Sequence, residues 1–344
     1  MKPLVCPFVS IVIVNYNGEK YLKNCMPAIE KINYPKSRYE VILVDNGSSD
    51  GSVTYARRNF PHVKILELRK NYGFDEGNNK GAAVAHGEYI VFLNNDVVVS
   101  AKWLVELAKI AVKRPNSILT SKLYSLNDPE VIGHDGSKVT LLGRGFGVNL
   151  GRKISITSAS PRHVIAPCGA SMMMRKDLFM KQLMFDNDYF VSLEDIDIGL
   201  RAWLYGHEVI YVPTSIGYHV GGGTGGKGHE MSDLIIYHSI KNSYMNIIKY
   251  FDILHLLVGI ILSVAYDIIE IIFLTKAKRT SAVKLILLSH LWVLRNIKAI
   301  IEKRFIIDKN IKRSRKFLFD SKFFASVSES LLEWRRLRKV KAIL

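Results

Sequence analysis

Three short, mostly apolar runs, each stopping on a polar cluster, restrict what this chain can fold into more than any other feature. Residues 9–14 (VSIVIV) end at Asn15-Tyr16-Asn17-Gly18, residues 41–44 (VILV) end at Asp45-Asn46-Gly47-Ser48-Ser49-Asp50-Gly51, and residues 89–93 (YIVFL) end at Asn94-Asn95-Asp96. Residues 63–66 read as another strand. Continuously apolar stretches of this length suit parallel strands buried on both faces. Helical stretches separate them, so the expected class is α/β, an open and mostly parallel sheet flanked by helices. Ligands of such sheets sit outside the carboxyl ends of the strands, which places the polar clusters along one crevice.

Further along, residues 115–160 read as a less regular insertion and residues 164–174 as another strand. Residues 195–205 read as a helix opened by acidic residues that complement its dipole. Residues 209–212 form a last strand before Gly217-Tyr218-His219 and a glycine cluster at 221–228. From residue 231 the pattern is helical. The expected division is a catalytic domain at 1–235 and a helical module at 236–344.

The chain is long enough, at 344 residues with 48% hydrophobic content, to bury one large core and an appendage. Its net charge of +17 is unevenly placed: residues 276–344 hold 19 Lys and Arg against 5 Asp and Glu. No zinc-finger spacing or aromatic-basic RNA signature accompanies this block, and an apolar segment precedes it, which favours an anionic membrane surface over nucleic acid. Cys6, Cys25 and Cys168 form no CxxC pair, as expected in a reducing compartment. Residues 1–10 carry no small-residue cleavage site, so the catalytic domain is expected to stay cytoplasmic.

The polar clusters have the chemistry of a nucleotide site. Asp45, directly after a strand, is able to accept hydrogen bonds from a nucleobase N–H or a ribose hydroxyl; the bland alternative is an Asx-turn that caps the next helix. Asp96 could give a hard cation such as Mg²⁺ or Mn²⁺ one oxygen ligand while diphosphate oxygens give others, the alternative again being a capping turn. His219 could be a further metal ligand or a phosphate contact, with the glycines that follow closing over the donor. Glu194, Asp195 and Asp197 place three carboxylates in four residues, more than a helix cap needs, and such crowding raises a carboxyl toward the range of a general base. Arg201 is spaced to compensate Asp197 at i,i+4. In Asn71-Tyr72-Gly73-Phe74-Asp75-Glu76-Gly77-Asn78-Asn79 the glycines do not fit a dinucleotide fingerprint, and amides such as Asn71 and Asn78 are better placed to touch a base or sugar.

Taken in order, VSIVIVNYNG, VDNGSSDGS, NYGFDEGNNKG, YIVFLNNDVVV, CGASMMMRKDLF, FDNDYFVSLEDIDIGLRAWLYGHEVIYVP and GYHVGGG resemble the family 2 glycosyltransferases of the GT-A fold, particularly the rhamnosyltransferase-like branch. The resemblance runs over about residues 8 to 225, roughly two thirds of the chain. It implies that Asp45 contacts the nucleobase with Asn15 and Asn17 lining the same pocket. It also implies that Asn94, Asn95 and Asp96 stand for the DxD-type motif with Asp96 and His219 as metal ligands, and that Asp195, with Glu194 beside it, deprotonates the acceptor hydroxyl. Asn94 departs from the motif's first Asp. The implied reaction is inverting transfer from a nucleotide diphosphate sugar of the UDP or dTDP type to a hydroxyl of a lipid-linked or polysaccharide acceptor. The competing readings are a nucleotidyltransferase, which would want a basic Gly-rich loop after the first strand, and a non-catalytic, membrane-associated sugar-nucleotide-binding protein.

Residues 253–274 reach the length of a bilayer span, yet His255, Gly259, Ser263, Asp267 and Glu270 form a polar stripe along them. Acidic residues are expensive in lipid, so a peripheral or monotopic position at the cytoplasmic face stands beside a spanning helix, and packing on the protein or a homodimer contact is the alternative.

Overall fold

The computed structural model describes residues 6–153, 160–220, 233–320, 323–326 and 329. The glycine cluster at 221–228 and the basic stretch at 335–341 lie outside these. The elements run β1 (Val9–Asn15), α1 (Glu19–Glu30), β2 (Tyr39–Asp45), α2 (Ser52–Asn59), β3 (Lys64–Glu67), α3 (Gly73–Ala83), β4 (Tyr89–Leu93), β5 (Val97–Val99), α4 (Trp103–Lys113), β6 (Ser117–Ser125), β7 (Ile132–His134) and β8 (Ser137–Val139). There follow β9 (Gly145–Gly147), β10 (Arg162–His163), β11 (Ser171–Arg175), α5 (Lys176–Leu178), α6 (Glu194–Leu204), β12 (Glu208–His219), α7 (Asp233–Tyr250), α8 (Ile253–Lys276), α9 (Thr280–Arg295), α10 (Ile297–Asp308) and α11 (Lys316–Asp320).

The chain forms two compact units. The first, residues 1–137, 147–190 and 207–221, is built on a sheet ordered β10-β12-β6-β11-β4-β1-β2-β3. Strand β1 pairs in parallel with β2 and β4, and β2 with β3, so β1, β2 and β4 all end at one edge of the sheet. The apolar runs explain this half: Ile11, Ile13, Val41 and Leu43 are buried and pack with Leu22 and Met26 of α1. Strand β11 is inserted antiparallel between β4 and β6, and β12 then runs parallel to β6. Among the seven strands from β12 to β3 in this order, β11 alone is reversed, which makes the sheet mixed. Buried Trp103 of α4 ties the join, its indole N–H lying 3.0 Å from Ser121 Oγ and from Ser171 Oγ.

Two local expectations need correction here. The strand read over 164–174 is confined to Ser171–Arg175, because Pro167 and Gly169 interrupt the run before it. The last strand extends well beyond 212, through Pro213 to His219, with its register against β6 shifting between Val212 and Ile216. That irregularity carries β12 to the same edge as the ends of β4 and β1.

The second unit takes in residues 138–146, 191–206 and 222–344. Helix α7 is its axis, buried over Ile240–Tyr250, with α6, α8, α9 and α10 packed around it. Trp203 of α6 lies over Phe323 and Phe317, with ring centroids 4.9 Å and 5.8 Å away.

Candidate active site

At the sheet edge of the first unit, amides rather than charges hold the loops. Asn15, wholly buried, pairs in register with Asp45; its Nδ2 donates to Ser48 Oγ at 3.2 Å and its Oδ1 accepts from Asn95 Nδ2 at 2.7 Å. One side chain thus joins the loops after β1, β2 and β4. Gly18 leaves the room for this, since a Cβ there would lie 2.4 Å from Asn15 Oδ1 and 2.3 Å from Asn95 Nδ2. Asn17, in the left-handed region at φ +49°, donates its backbone N–H to Ser48 Oγ and accepts from Ser49 N–H at 2.8 Å.

Asp45 divides its two oxygens. Oδ2 accepts from Ser48 N–H at 3.1 Å, the Asx-turn of the bland reading, while Oδ1 is buried and accepts no hydrogen bond. A buried carboxylate oxygen without a donor costs free energy that a ligand N–H or O–H would recover. Asp50, by contrast, is spent on structure: its oxygens accept from Ser52 N–H and Glu19 N–H, both at 3.0 Å, at the starts of α2 and α1.

Asn71 and Asn78 lie deeper in this framework. Asn71 Oδ1 accepts from Gly73 N–H and from the amide of Asn46, whose own Oδ1 accepts from Tyr72 N–H at 3.0 Å. Asn78 sits within α3, buried, and donates to Phe74 O one turn back. Asn94 forms the turn after β4, donating its backbone N–H to Ala170 O at 3.0 Å.

Asp96 is buried in the turn between β4 and β5. β12 pairs antiparallel with β5, setting His219 opposite Val97, and this brings His219 Nε2 to 3.1 Å from Asp96 Oδ1. The approach is off the hydrogen-bonding direction, so Oδ1 remains sealed without a donor. A carboxylate oxygen and an imidazole nitrogen this close together are a donor set that Mg²⁺ or Mn²⁺ accepts. Among the described residues no third His, Cys, Asp or Glu joins them.

Beside this pair is a group that the motifs did not reveal. His134 of β7 is pushed down to about 4 by burial, against the attraction of Asp135 and with the help of His219 and Arg162, so it is neutral throughout the physiological range. Arg162 lies with its guanidinium 4.4 Å from the Tyr211 ring centroid and donates to Asp135 O. Lys122 of β6 is buried nearby, and burial holds its ammonium below the usual lysine range. Lysine, histidine and arginine at separations of 12 and 28 residues form no local pattern, which is why sequence reasoning passes over them.

In the second unit, α6 presents the acidic cluster. Ser192 and Leu193, at φ +73° and +65°, deliver the chain into the helix through left-handed backbone. Asn242 of α7 clamps them, its Nδ2 donating to Val191 O at 3.0 Å and Ser192 O at 2.6 Å. Asp195 Oδ1 accepts from Ile196 N–H at 2.8 Å. Glu194 is half-buried as a residue, but its Oε2 is sealed and has no hydrogen-bond partner. Burial, then the charges of Asp195 and Asp197, push its carboxyl up to about 8. Asp197 turns the other way into the unit's interior, accepting from Arg201 at 3.0 Å and from Lys249 and Tyr250 of α7. The i,i+4 partner was readable in the sequence; Lys249 and Tyr250 were not.

The strained entry makes a prediction. A β-branched residue tolerates left-handed backbone worse than leucine does, so Leu193→Val is expected to lose about 1–3 kcal/mol in urea unfolding and Leu193→Gly much less. Equal midpoints for the two variants would show that this backbone is not under strain.

An α/β sheet with carboxylates and amides gathered at its carboxyl edge, Asp96 and His219 paired among them, is a protein of the open-sheet type. The glycosyl transferase family 2 model matches residues 10–183, and the chain belongs to that family. Rhamnosyltransferase WbbL of Escherichia coli K12 is 28% identical over 226 residues, 61% of this chain and 83% of the relative. Glycosyltransferase AglE of Haloferax volcanii is 36% identical over 101 residues, 28% of this chain and 33% of the relative. The chain thus spans a third of that relative, and 21% of the Staphylococcus aureus poly(ribitol-phosphate) beta-N-acetylglucosaminyltransferase TarS. In solved structures, the mannosyltransferase PcManGT of Pyrobaculum calidifontis, in complex with GDP-Man and Mn²⁺, superposes with a TM-score of 0.55 at 16% identity over 90% of this chain and 88% of its own. GalNAc-T7, with UDP, GalNAc and Mn²⁺, gives 0.59 at 19% identity over 74% and 49%. The fold is GT-A.

Proposed function

We propose that this glycosyltransferase moves a hexosyl group, with inversion, from a nucleotide diphosphate sugar of the UDP or dTDP type to a hydroxyl of a lipid-linked or polysaccharide acceptor. The observation that carries the reading is the Asp96–His219 pair, whose buried carboxylate oxygen lacks a donor and whose loop is joined through Asn95 and Asn15 to the Asp45 loop. Asp45 Oδ1 receives the N–H of the base. Asn15, Asn17 and Asn95 hold the loops that present it, and Asn71, through Asn46, holds the segment beside them. Asn78 and Asn94 keep the backbone of that wall in place.

Asp195 takes the proton of the acceptor hydroxyl as that oxygen attacks the anomeric carbon. The bond from that carbon to the phosphate oxygen breaks, the nucleoside diphosphate leaves from the opposite face, and the anomeric configuration inverts. Glu194, neutral below about 8, stands uncharged beside Asp195 rather than acting as a second base. A divalent cation, Mg²⁺ or Mn²⁺, held by Asp96 and His219 would neutralise charge developing on the diphosphate. On this reading the enzyme works at the cytoplasmic face of an anionic membrane as a peripheral or monotopic protein, within reach of lipid-linked acceptors, and the basic, apolar C-terminal helices support it.

The test is thermal stabilisation by UDP, dTDP and GDP with Mn²⁺ or Mg²⁺. A ligand at 100 times its Kd adds about 2.7 kcal/mol. One nucleoside diphosphate is expected to raise the melting temperature in the presence of the cation. No response to any of the three would remove the donor assignment.

A further inference from the structure

Helix α8 reverses the usual polarity of a helix on a water-soluble protein. It starts at Asp252, whose carboxylate accepts from His255 N–H at 3.1 Å, and among its residues the buried ones are Gly259, Ser263, Asp267 and Leu274. Spacings of four, four and seven put them on one stripe. Asp267, at 2% exposure, accepts from Arg144 at 3.2 Å and from Tyr244 Oη of α7 at 2.8 Å, with His290 of α9 3.2 Å away. The polar stripe faces protein. The large aliphatic side chains face outward, with Ile253 at 70% and Ile261 at 67% exposure, and α9 and α10 add Leu294 and Phe305 at 69% and 61%. An outward apolar surface of this extent is unstable against water and calls for an apolar medium.

Charge selects the medium. Residues 276–316 hold 13 Lys and Arg against 2 Asp and Glu, and Lys276, Lys278, Lys284, Arg295 and Lys298 are exposed on or between these same helices. A second copy of the chain would set this positive charge against itself, whereas an anionic headgroup layer complements it.

We propose that α8, α9 and α10 lie in the plane of an anionic lipid surface, the apolar faces set into the acyl boundary, and that α8 does not cross the bilayer. This rests on the membrane reading above and gives it a geometry. By length and composition α8 could span. A crossing would carry Asp267, mid-helix, with its partners Arg144, Tyr244 and His290 to the middle of the hydrocarbon, and α7 with buried Lys241 and Lys249 beside them. Lying in plane, the helix keeps that cluster on its protein side.

The full chain is mixed with vesicles of phosphatidylcholine alone, or of phosphatidylcholine and phosphatidylglycerol in equal parts, and floated. The wild type is expected to float with the anionic vesicles and with little of the neutral ones. Ile261→Asp with Ile269→Asp, both at exposed positions, should lose flotation at least tenfold while keeping the wild-type melting temperature and nucleotide response. On bound protein, an impermeant maleimide should label Lys278→Cys, just past α8, as fast as Asp233→Cys at the start of α7, since the chain before and after α8 stays on one side. Protection of Lys278→Cys until detergent is added would mean that the helix crosses. Unchanged flotation of the double variant, or a salt-resistant dimer of the free protein that hides Ile261, would overturn the proposal. Loss of nucleotide binding with flotation intact would fault the donor reading instead.

Discussion

Asp195→Asn is expected to lower kcat by about 10²- to 10⁴-fold, the usual contribution of a positioned general base, while leaving the affinity for the nucleoside diphosphate within twofold or so of wild type. Glu194→Gln is expected to keep most of the activity, because Gln preserves the neutral form that Glu194 holds below about 8. The pH profiles separate the two residues. The unfolded glutamate titrates near its ordinary 4.5 and the folded one at about 8, so between these values the folded state holds the extra proton. Stability therefore falls as pH rises across that window, the sign expected for a raised carboxyl. Ionisation above 8 places a second negative charge beside Asp195, and activity should decline there in the wild type. In Glu194→Gln that alkaline limb should vanish. Full activity of Asp195→Asn, or an alkaline limb that survives in Glu194→Gln, would contradict these roles.

The second large effect concerns stability. Asp197 is almost wholly buried, as is Lys249, and both cations at this carboxylate come from within the second unit. Asp197→Ala removes the counter-charge and leaves Lys249, Arg201 and Tyr250 without it, a loss of about 3–5 kcal/mol. Lys249→Met should cost less, since Arg201 still compensates Asp197. Urea unfolding of the three proteins gives the order directly. A midpoint for Asp197→Ala equal to that of the wild type would show that this ion pair does not anchor α6 to α7.

The parts of the fold written in consecutive residues were readable. The apolar runs of β1, β2 and β4 report burial on both faces wherever they occur, and the polar residue that ends each run marks the crevice edge. Pairing between distant segments was not readable. The reversal of β11 depends on β4 and β6 accepting it from both sides, and the passage of β12 through Pro213 depends on a register shift against β6. The site divides in the same way. Asp45 and Asp96 stand at strand ends and announce themselves, whereas the choice between turn and ligand is made oxygen by oxygen, as the division of Asp45 between Ser48 and an unused Oδ1 shows. Lys249 stands 52 residues from Asp197, and Arg144 stands 123 from Asp267; no period in the sequence links them. The polar stripe of α8 was visible as a stripe, but its inward direction required Arg144, Tyr244 and His290 to be in place.

The claim on which the donor site turns is that Asp96 and His219 hold the cation that meets the nucleotide. Equilibrium dialysis of Mn²⁺ with saturating nucleoside diphosphate addresses it without reference to turnover. Wild type is expected to bind one Mn²⁺ per chain and Asp96→Ala to lose it, with His219→Ala weakened by about 10- to 100-fold on the scale of a disturbed metal site. Binding by Asp96→Ala as tight as that of the wild type would contradict the account.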